Sequence, residues 1–180
     1  GSWSAYSNPD AYYGNYYAGI RAANYFIERS VDYRSFLALN RDTVSSTGKV
    51  NYTNDTLNIG WYVAEAHILR AWYYFELINI FGDVPIVLVP LNPDELQITQ
   101  SPVQQIFETV VEPDLTDAAA HLPAGYNGPD VGRVTSGAAN ALLAKAYLFQ
   151  GKWDKAATTA AQVVNSNIYD LLPVYSQNFN

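Results

Sequence analysis

Apolar side chains recur along most of this chain at alternating steps of three and four, the spacing of one helical face. The run is clearest from Gly60 to Phe81, where Trp61, Ala64, Ile68, Ala71, Phe75 and Ile78 form a stripe. Leu69, Trp72 and Ile80 widen it, so this helix is expected at the centre of the fold. Gly82 suits the left-handed position that ends a helix, and Pro85 forbids its continuation. An earlier helix is predicted from Asn8-Pro9-Asp10, where Asn8 caps, Pro9 fits the first turn and Asp10 complements the helix dipole. Its face carries Tyr13, Tyr17, Ile20, Asn24 and Ile27, and the pattern fades after Val31. Residues 40–58 are rich in Ser, Thr, Asn and Gly, and are expected to form a long polar loop.

Beyond Pro85, Ile86–Leu91 reads as an extended run held between prolines. Ser101-Pro102-Val103-Gln104 predicts a helix start, with Ser101 as cap and Gln104 completing a capping box. Ile106, Phe107, Val110, Leu115, Ala118 and Leu122 continue it, and Pro113 predicts a kink or break near Val110–Glu112. Gly128-Pro129-Asp130 marks a loop, Thr135 caps an alanine-rich helix, and Gly151 ends it. A further helix starts at Trp153 or Asp154 and runs to about Val164. The alanines of these last two helices allow close approach in an antiparallel hairpin. No strand pattern of useful length occurs, so the expected class is all-α.

Composition narrows the functions open to such a chain. Its 180 residues carry 10 basic and 17 acidic side chains, leaving a net charge of −7. Scattered basic residues in an acidic chain argue against nucleic-acid binding, which needs clustered cations. The absence of Cys removes disulfides, thiolate metal sites and thiol catalysis together. The absence of Met and the opening Gly1-Ser2 are read as a cut edge, so the chain is expected to be part of a longer protein.

Leu143, Ala144, Tyr147, Gly151 and Ala156 stand at the spacings of a tetratricopeptide unit, although Ala160 occupies a position where a large residue is expected. A wider resemblance rests on five ordered blocks. Glu65-Ala66-x-Ile68-Leu69-Arg70-Ala71-x-Tyr73-Tyr74-Phe75-x-Leu77 and Phe81-Gly82-Asp83-Val84-Pro85 resemble the signature of the SusD/RagB family. Arg21-Ala22-Ala23-Asn24-Tyr25-Phe26 resembles its early helix, and Asp114-Leu115-x-x-Ala118 its later Asp-Leu-x-x-Ala helix. Gly132-Arg133-Val134-Thr135 resembles its Gly-Arg-x-Thr turn.

The resemblance implies an all-α helical bundle with tetratricopeptide-like helix–turn–helix hairpins forming an αα-superhelix. Residues 1–180 would be a partial SusD-like domain, with an N-terminal helix and polar loop over 1–58 and the repeat-like region over 59–180. It implies a cell-surface protein of the Bacteroidetes outer membrane, lipid-anchored in the full-length form through a Cys outside this chain. Such a protein captures oligosaccharides or polysaccharides and passes them to a SusC-like TonB-dependent transporter, without a cofactor. Two alternatives stay open: a helical-repeat interaction scaffold without glycan binding, and a RagB-like peptide-uptake protein.

The candidate chemistry fits binding better than catalysis. His67 and His121 are the only histidines, and no carboxylate is expected at a metal-ligand spacing that includes both, so neither a metal site nor a Ser–His relay is predicted. Asp10, Asp42, Asp55 and Asp94 have ordinary cap or loop roles, and a hydrolase reading would need two acids facing across a cleft. Asp83 in the Phe81–Pro85 segment is read as a bond to nearby backbone amides. Glu65, Arg70 and Arg133 are read as structural, each of the first two pairing with a neighbouring helix.

Eleven of the 15 tyrosines lie before residue 75. Flat aromatic faces stack on sugar rings while adjacent Asn and Asp bond the hydroxyls, and the same rings serve equally as core with the hydroxyl at the surface. The sugar-binding candidates are Trp3, Tyr6, Tyr52, Asn54 and Trp61, in or beside expected loops. Trp72 and Trp153 are expected to be packing residues.

Overall fold

The computed structural model describes residues 10–91, 98–170 and 173–174. The first helix, α1, spans Asp10–Asn40, and the second, α2, spans Ser46–Phe81. Both are longer than the apolar pattern predicts. The polar loop expected at 40–58 shrinks to Arg41–Ser45, and α2 runs through residue 58 without a break. Ser45 caps α2 by accepting from the Gly48 amide at 3.0 Å. Hydroxyls that suggested a loop turn back onto their own helix instead: Thr53 donates to the Lys49 carbonyl and Thr56 to that of Tyr52. Arg41 meets Asp55 at 2.7 Å and ties the connection to the new helical turns.

The long helices pack antiparallel. Tyr13 meets Phe81 edge-on at 5.1 Å, Tyr17 meets Tyr74 at 6.3 Å, and Asn24 bonds Arg70 at 2.7 Å, so contacts run in opposite directions along the two. Gly19 allows this approach, because a Cβ there would collide with the Tyr73 ring. Gly82 then ends α2 at φ 73°, donating its amide to the Ile78 carbonyl.

After the irregular Pro85–Leu91 stretch the chain returns through an isolated bridge between Val84 and Ser101. The next helix begins with α3, Val103–Ile106, widens into a π turn over Phe107–Val111 and continues as α4, Glu112–His121. Its cap differs from expectation. Ser101 is engaged in the bridge, Gln104 bonds Glu108 rather than a cap, and the Val103 amide donates to Asp83 Oδ1 at 2.9 Å. The π turn lies where Pro113 predicts a kink. Pro113 has no N–H and crowds the carbonyl four residues back, and the wider turn, closed by the Glu112 amide on the Phe107 carbonyl, lets the helix pass without breaking.

A short 3₁₀ turn at Gly128–Asp130 leads to α5, Ser136–Phe149, and then α6, Trp153–Asn165. Thr135 caps α5 through the Ala138 amide, and Gly151 turns the chain at φ 70°. The antiparallel succession of α2, α4, α5 and α6 makes an all-α fold of tetratricopeptide-like hairpins, with no strand among the described residues beyond the single bridge. The core lies where α2 crosses the others: Ile20, Tyr74, Phe75, Leu77, Ile106, Val110, Val111 and Leu115 are buried together.

Charges fix how these layers meet. Arg70 forks onto Asp114 at 2.7 and 2.8 Å, joining α2 to α4, and its third nitrogen reaches Asn24 on α1. Lys152, at the start of α6, pairs with Glu112. Asp117 stands between both histidines, 2.6 Å from His67 and 3.0 Å from His121. The sequence reading missed that triad, because the i,i+4 pair Asp117–His121 is joined by a residue fifty positions away.

Candidate functional site

The five candidate sugar contacts do not converge. Trp3 and Tyr6 lie outside the described residues. Tyr52, Asn54 and Trp61 all sit on α2 rather than in loops. At about 1.5 Å and 100° per residue, Tyr52 and Trp61 are roughly 13 Å apart along the axis and on opposite sides of it. Asn54 is exposed and Tyr52 half-buried near the outer end of the α1–α2 pair. Asp42 has the loop role expected of it: it accepts from the Val44 and Ser45 amides at 2.9 and 3.0 Å and from the Ser45 hydroxyl. Those bonds hold its carboxyl below the ordinary value, the Ser45 hydroxyl contributing most.

Of the four tyrosines in the first turns of α1, Tyr12, Tyr13, Tyr16 and Tyr17, most are packing residues. Tyr13, Tyr16 and Tyr17 lie against the core, and Tyr17 donates to the Pro85 carbonyl at 2.6 Å. Burial pushes the Tyr17 hydroxyl above the usual tyrosine range, and the neighbouring Tyr74 adds to the shift. Tyr12 alone of the four points outward. Trp72 meets Tyr16 edge-on at 6.1 Å but remains exposed, as do Leu69 and Ile80, so these three do not widen the buried stripe of α2. Trp153 does not follow the packing expectation: it is 65% exposed at the open side of the α5–α6 hairpin, beside Ala144, Leu148 and Ala160. Where a repeat has a large residue, Ala160 leaves no side chain to cover it.

Trp61 is the candidate around which other groups gather. One turn further along α2 stands Glu65, on the same face. The segment between α4 and α5 folds back across that face and delivers Tyr126 and Arg133. Trp61 and Tyr126 meet edge-on, centroids 6.1 Å apart. Tyr126 donates to Glu65 Oε1 at 3.4 Å, and Arg133 grips both carboxylate oxygens at 2.9 and 2.5 Å. The Arg133 guanidinium lies 4.6 Å over the Tyr62 ring. Burial, then the Glu65 charge, raises the Tyr126 hydroxyl, which stays protonated, and the bond to Glu65 raises Arg133 further, so the guanidinium stays charged.

The result is a fixed group of three aromatic rings around a closed, electrically neutral ion pair, partly open to solvent. It offers stacking edges and polar atoms that can bond hydroxyls, and no nucleophile aligned with a base. Among the described residues no group of three or more acidic, His or Cys side chains could hold a metal ion. Glu65 is expected to pair with a neighbouring helix, and its partner Arg133 comes instead from the turn before α5. Tyr62 and Tyr126 were missed, since Tyr126 lies 61 positions from its carboxylate partner and carries no local signal.

Comparison with known proteins gives a consistent answer. A family model described as SusD-like, starch-binding and associating with the outer membrane matches residues 2–148. SusD-like protein P25 of Formosa agariphila is 27% identical over 118 residues, covering 66% of this chain and 22% of that protein. A laminarin-binding SusD-like protein of known structure is 30% identical and superposes with a TM-score of 0.76 over 93% of this chain and 34% of its own. A SusD homologue from Bacteroides thetaiotaomicron is also 30% identical, with a TM-score of 0.73 over 92% of this chain and 31% of its own. The chain thus spans roughly a fifth of the curated relative's length and a third of each solved structure's.

Proposed function

The chain belongs to the SusD-like family, and from that premise we propose that it is part of a cell-surface protein that binds glycans for import. The observation that carries this reading is the gathering of Trp61, Tyr62 and Tyr126 around the Glu65–Arg133 pair. Aromatic rings at a surface beside fixed hydrogen-bonding groups are what a sugar needs: an apolar face to stack on and partners for the hydroxyls. A family described as starch-binding and a similar protein named for laminarin binding support the same ligand class.

In this reading Trp61 is the leading contact of the chain. Tyr52 and Asn54 contact ligand only weakly, being on another part of α2, and Trp3 and Tyr6 are proposed contacts on their chemistry alone. The protein acts by binding, without a catalytic step or a cofactor. No helix among the described residues is long and apolar enough to cross a membrane, and attachment to the outer membrane rests on the family. The partner proposed to take the glycan onward is a SusC-like TonB-dependent transporter.

Isothermal titration of the complete protein against neutral and acidic glycans tests the ligand, with a saturable heat for at least one expected. Co-purification with a TonB-dependent transporter tests the partner. A transporter complex with no glycan or peptide binding would replace this reading with the interaction scaffold, and heats from peptides alone would replace it with peptide uptake.

A further inference from the structure

Behind Glu65, on the side away from Trp61, α1 and α2 part to leave a cavity of about 380 Å³. Its size falls near the lower end of roughly 300–1,000 Å³ for ligand clefts, suited to a ring or two rather than a long chain. It exists because α1 carries small residues there: Gly19, Ala22 and Ala23 face the gap. The Tyr73 ring lies directly on Gly19, which fixes one wall. Phe26 and Tyr62, both partly exposed, supply aromatic surface, and Glu65 and Arg133 close the polar end.

We propose that this cavity is a subsite for one ring of an uncharged sugar, with Glu65 and Arg133 bonding its hydroxyls. The proposal rests on the glycan-binding reading above and assigns that reading a place and a charge class. The polar end has unused capacity. Arg133 uses two of its nitrogens on Glu65, while the third approaches Asp130 only at 3.7 Å, beyond hydrogen-bond reach. One hydroxyl of a ring entering the cavity can donate to a free lone pair of the Glu65 carboxylate, and a second can accept from that nitrogen, which lies on the guanidinium edge away from Glu65. Tyr62, under the guanidinium, holds this geometry before ligand arrives. Charge selects the class. The pair sums to zero, so an anionic sugar gains no counter-charge and meets the Glu65 carboxylate at close range.

The test uses the complete protein and three probes, laminarihexaose, maltohexaose and an oligogalacturonate, by isothermal titration. Ala22→Trp fills the cavity from an exposed position, and Ala38→Trp places the same side chain elsewhere on α1, also exposed. For a neutral probe bound by the wild type, Ala22→Trp is expected to weaken binding at least tenfold and Ala38→Trp to leave it unchanged. Equal affinity of the two variants overturns the subsite and leaves the glycan-binding reading intact. Tighter binding of the oligogalacturonate overturns the charge class, and no binding to any glycan overturns both. Should Ala22→Trp fail to fold, methyl resonances of Ala22 and Ala23 in the wild type decide: shifts on saturation support the subsite, and their constancy overturns it.

Discussion

Arg70 and Asp114 form a two-pronged ion pair, 2.7 and 2.8 Å long, with both residues less than a tenth exposed. It joins α2 to α4, and the remaining guanidinium nitrogen extends the tie to Asn24 on α1. Removing one partner leaves the other charged and buried, a loss of about 3–5 kcal/mol. Arg70→Met and Asp114→Leu are each expected to lower the urea midpoint of the complete protein sharply. The double variant should recover part of the loss, because no lone charge then remains. Arg70→Lys should not substitute, since an ammonium cannot make the planar fork. Equal losses in single and double variants would show that the pair is not what couples the helices.

The extent to which these features can be read from sequence follows from how local their causes are. The Gly60–Phe81 stripe, the Thr135 cap and the Gly151 turn depend on residues within a few positions and were predictable. That Arg70 and Glu65 would pair across elements was predictable too, but their partners lie 44 and 68 positions away, and a single sequence does not contain that distance. The segment 46–58 was misread for a different reason. Its Ser, Thr and Asn side chains have weak helix propensity, yet packing of α2 against α1 and the Ser45 cap override it, with the Thr53 and Thr56 hydroxyls satisfied on their own helix. The same misreading placed Tyr52 and Asn54 in a loop beside Trp61, when a straight helix holds them apart.

Asp83, rather than Ser101, caps the third helix. Its carboxylate receives the Val103 amide at 2.9 Å from across the Pro85–Gln100 connection. Asp83→Ala is expected to cost about 0.5–2 kcal/mol, the usual loss of a helix cap, and to speed hydrogen exchange at Val103. Ser101→Ala should leave that exchange unchanged, because the Ser101 contribution to the bridge is its backbone amide. The opposite ranking would restore the cap to Ser101.

The start of α2 is expected to loosen in acid. Bonds from the Ser45 hydroxyl and from the Val44 and Ser45 amides lower the Asp42 carboxyl in the folded state. A lowered folded value means that the contribution is present above the unfolded value of 3.8 and is lost as pH falls through the folded one. Amide exchange at Val44 and Ser45 should therefore show extra acid-dependent opening below about pH 3.8. Asp42→Ala should remove this dependence and open the turn at neutral pH as well. Identical pH profiles for wild type and variant would remove Asp42 from the account.

Tyr74 holds the exit segment of α2 in place. Its hydroxyl accepts from the Val87 amide at 2.7 Å and donates to the Val87 carbonyl at 3.1 Å, while the ring is fully buried. Tyr74→Phe keeps the ring and leaves two backbone groups without this partner, which predicts a loss of about 1–3 kcal/mol. The same burial raises the hydroxyl to about 12, above its unfolded value of 10.0. Here the sign is reversed from the acid case: a raised value stabilises fully below pH 10 and the contribution is lost as pH rises through 12. Stability of the wild type should fall over that interval more steeply than that of Tyr74→Phe, read as thermal midpoints against pH. Parallel curves would mean that Tyr74 ionises as freely in the folded protein as in the unfolded chain, which its burial argues against.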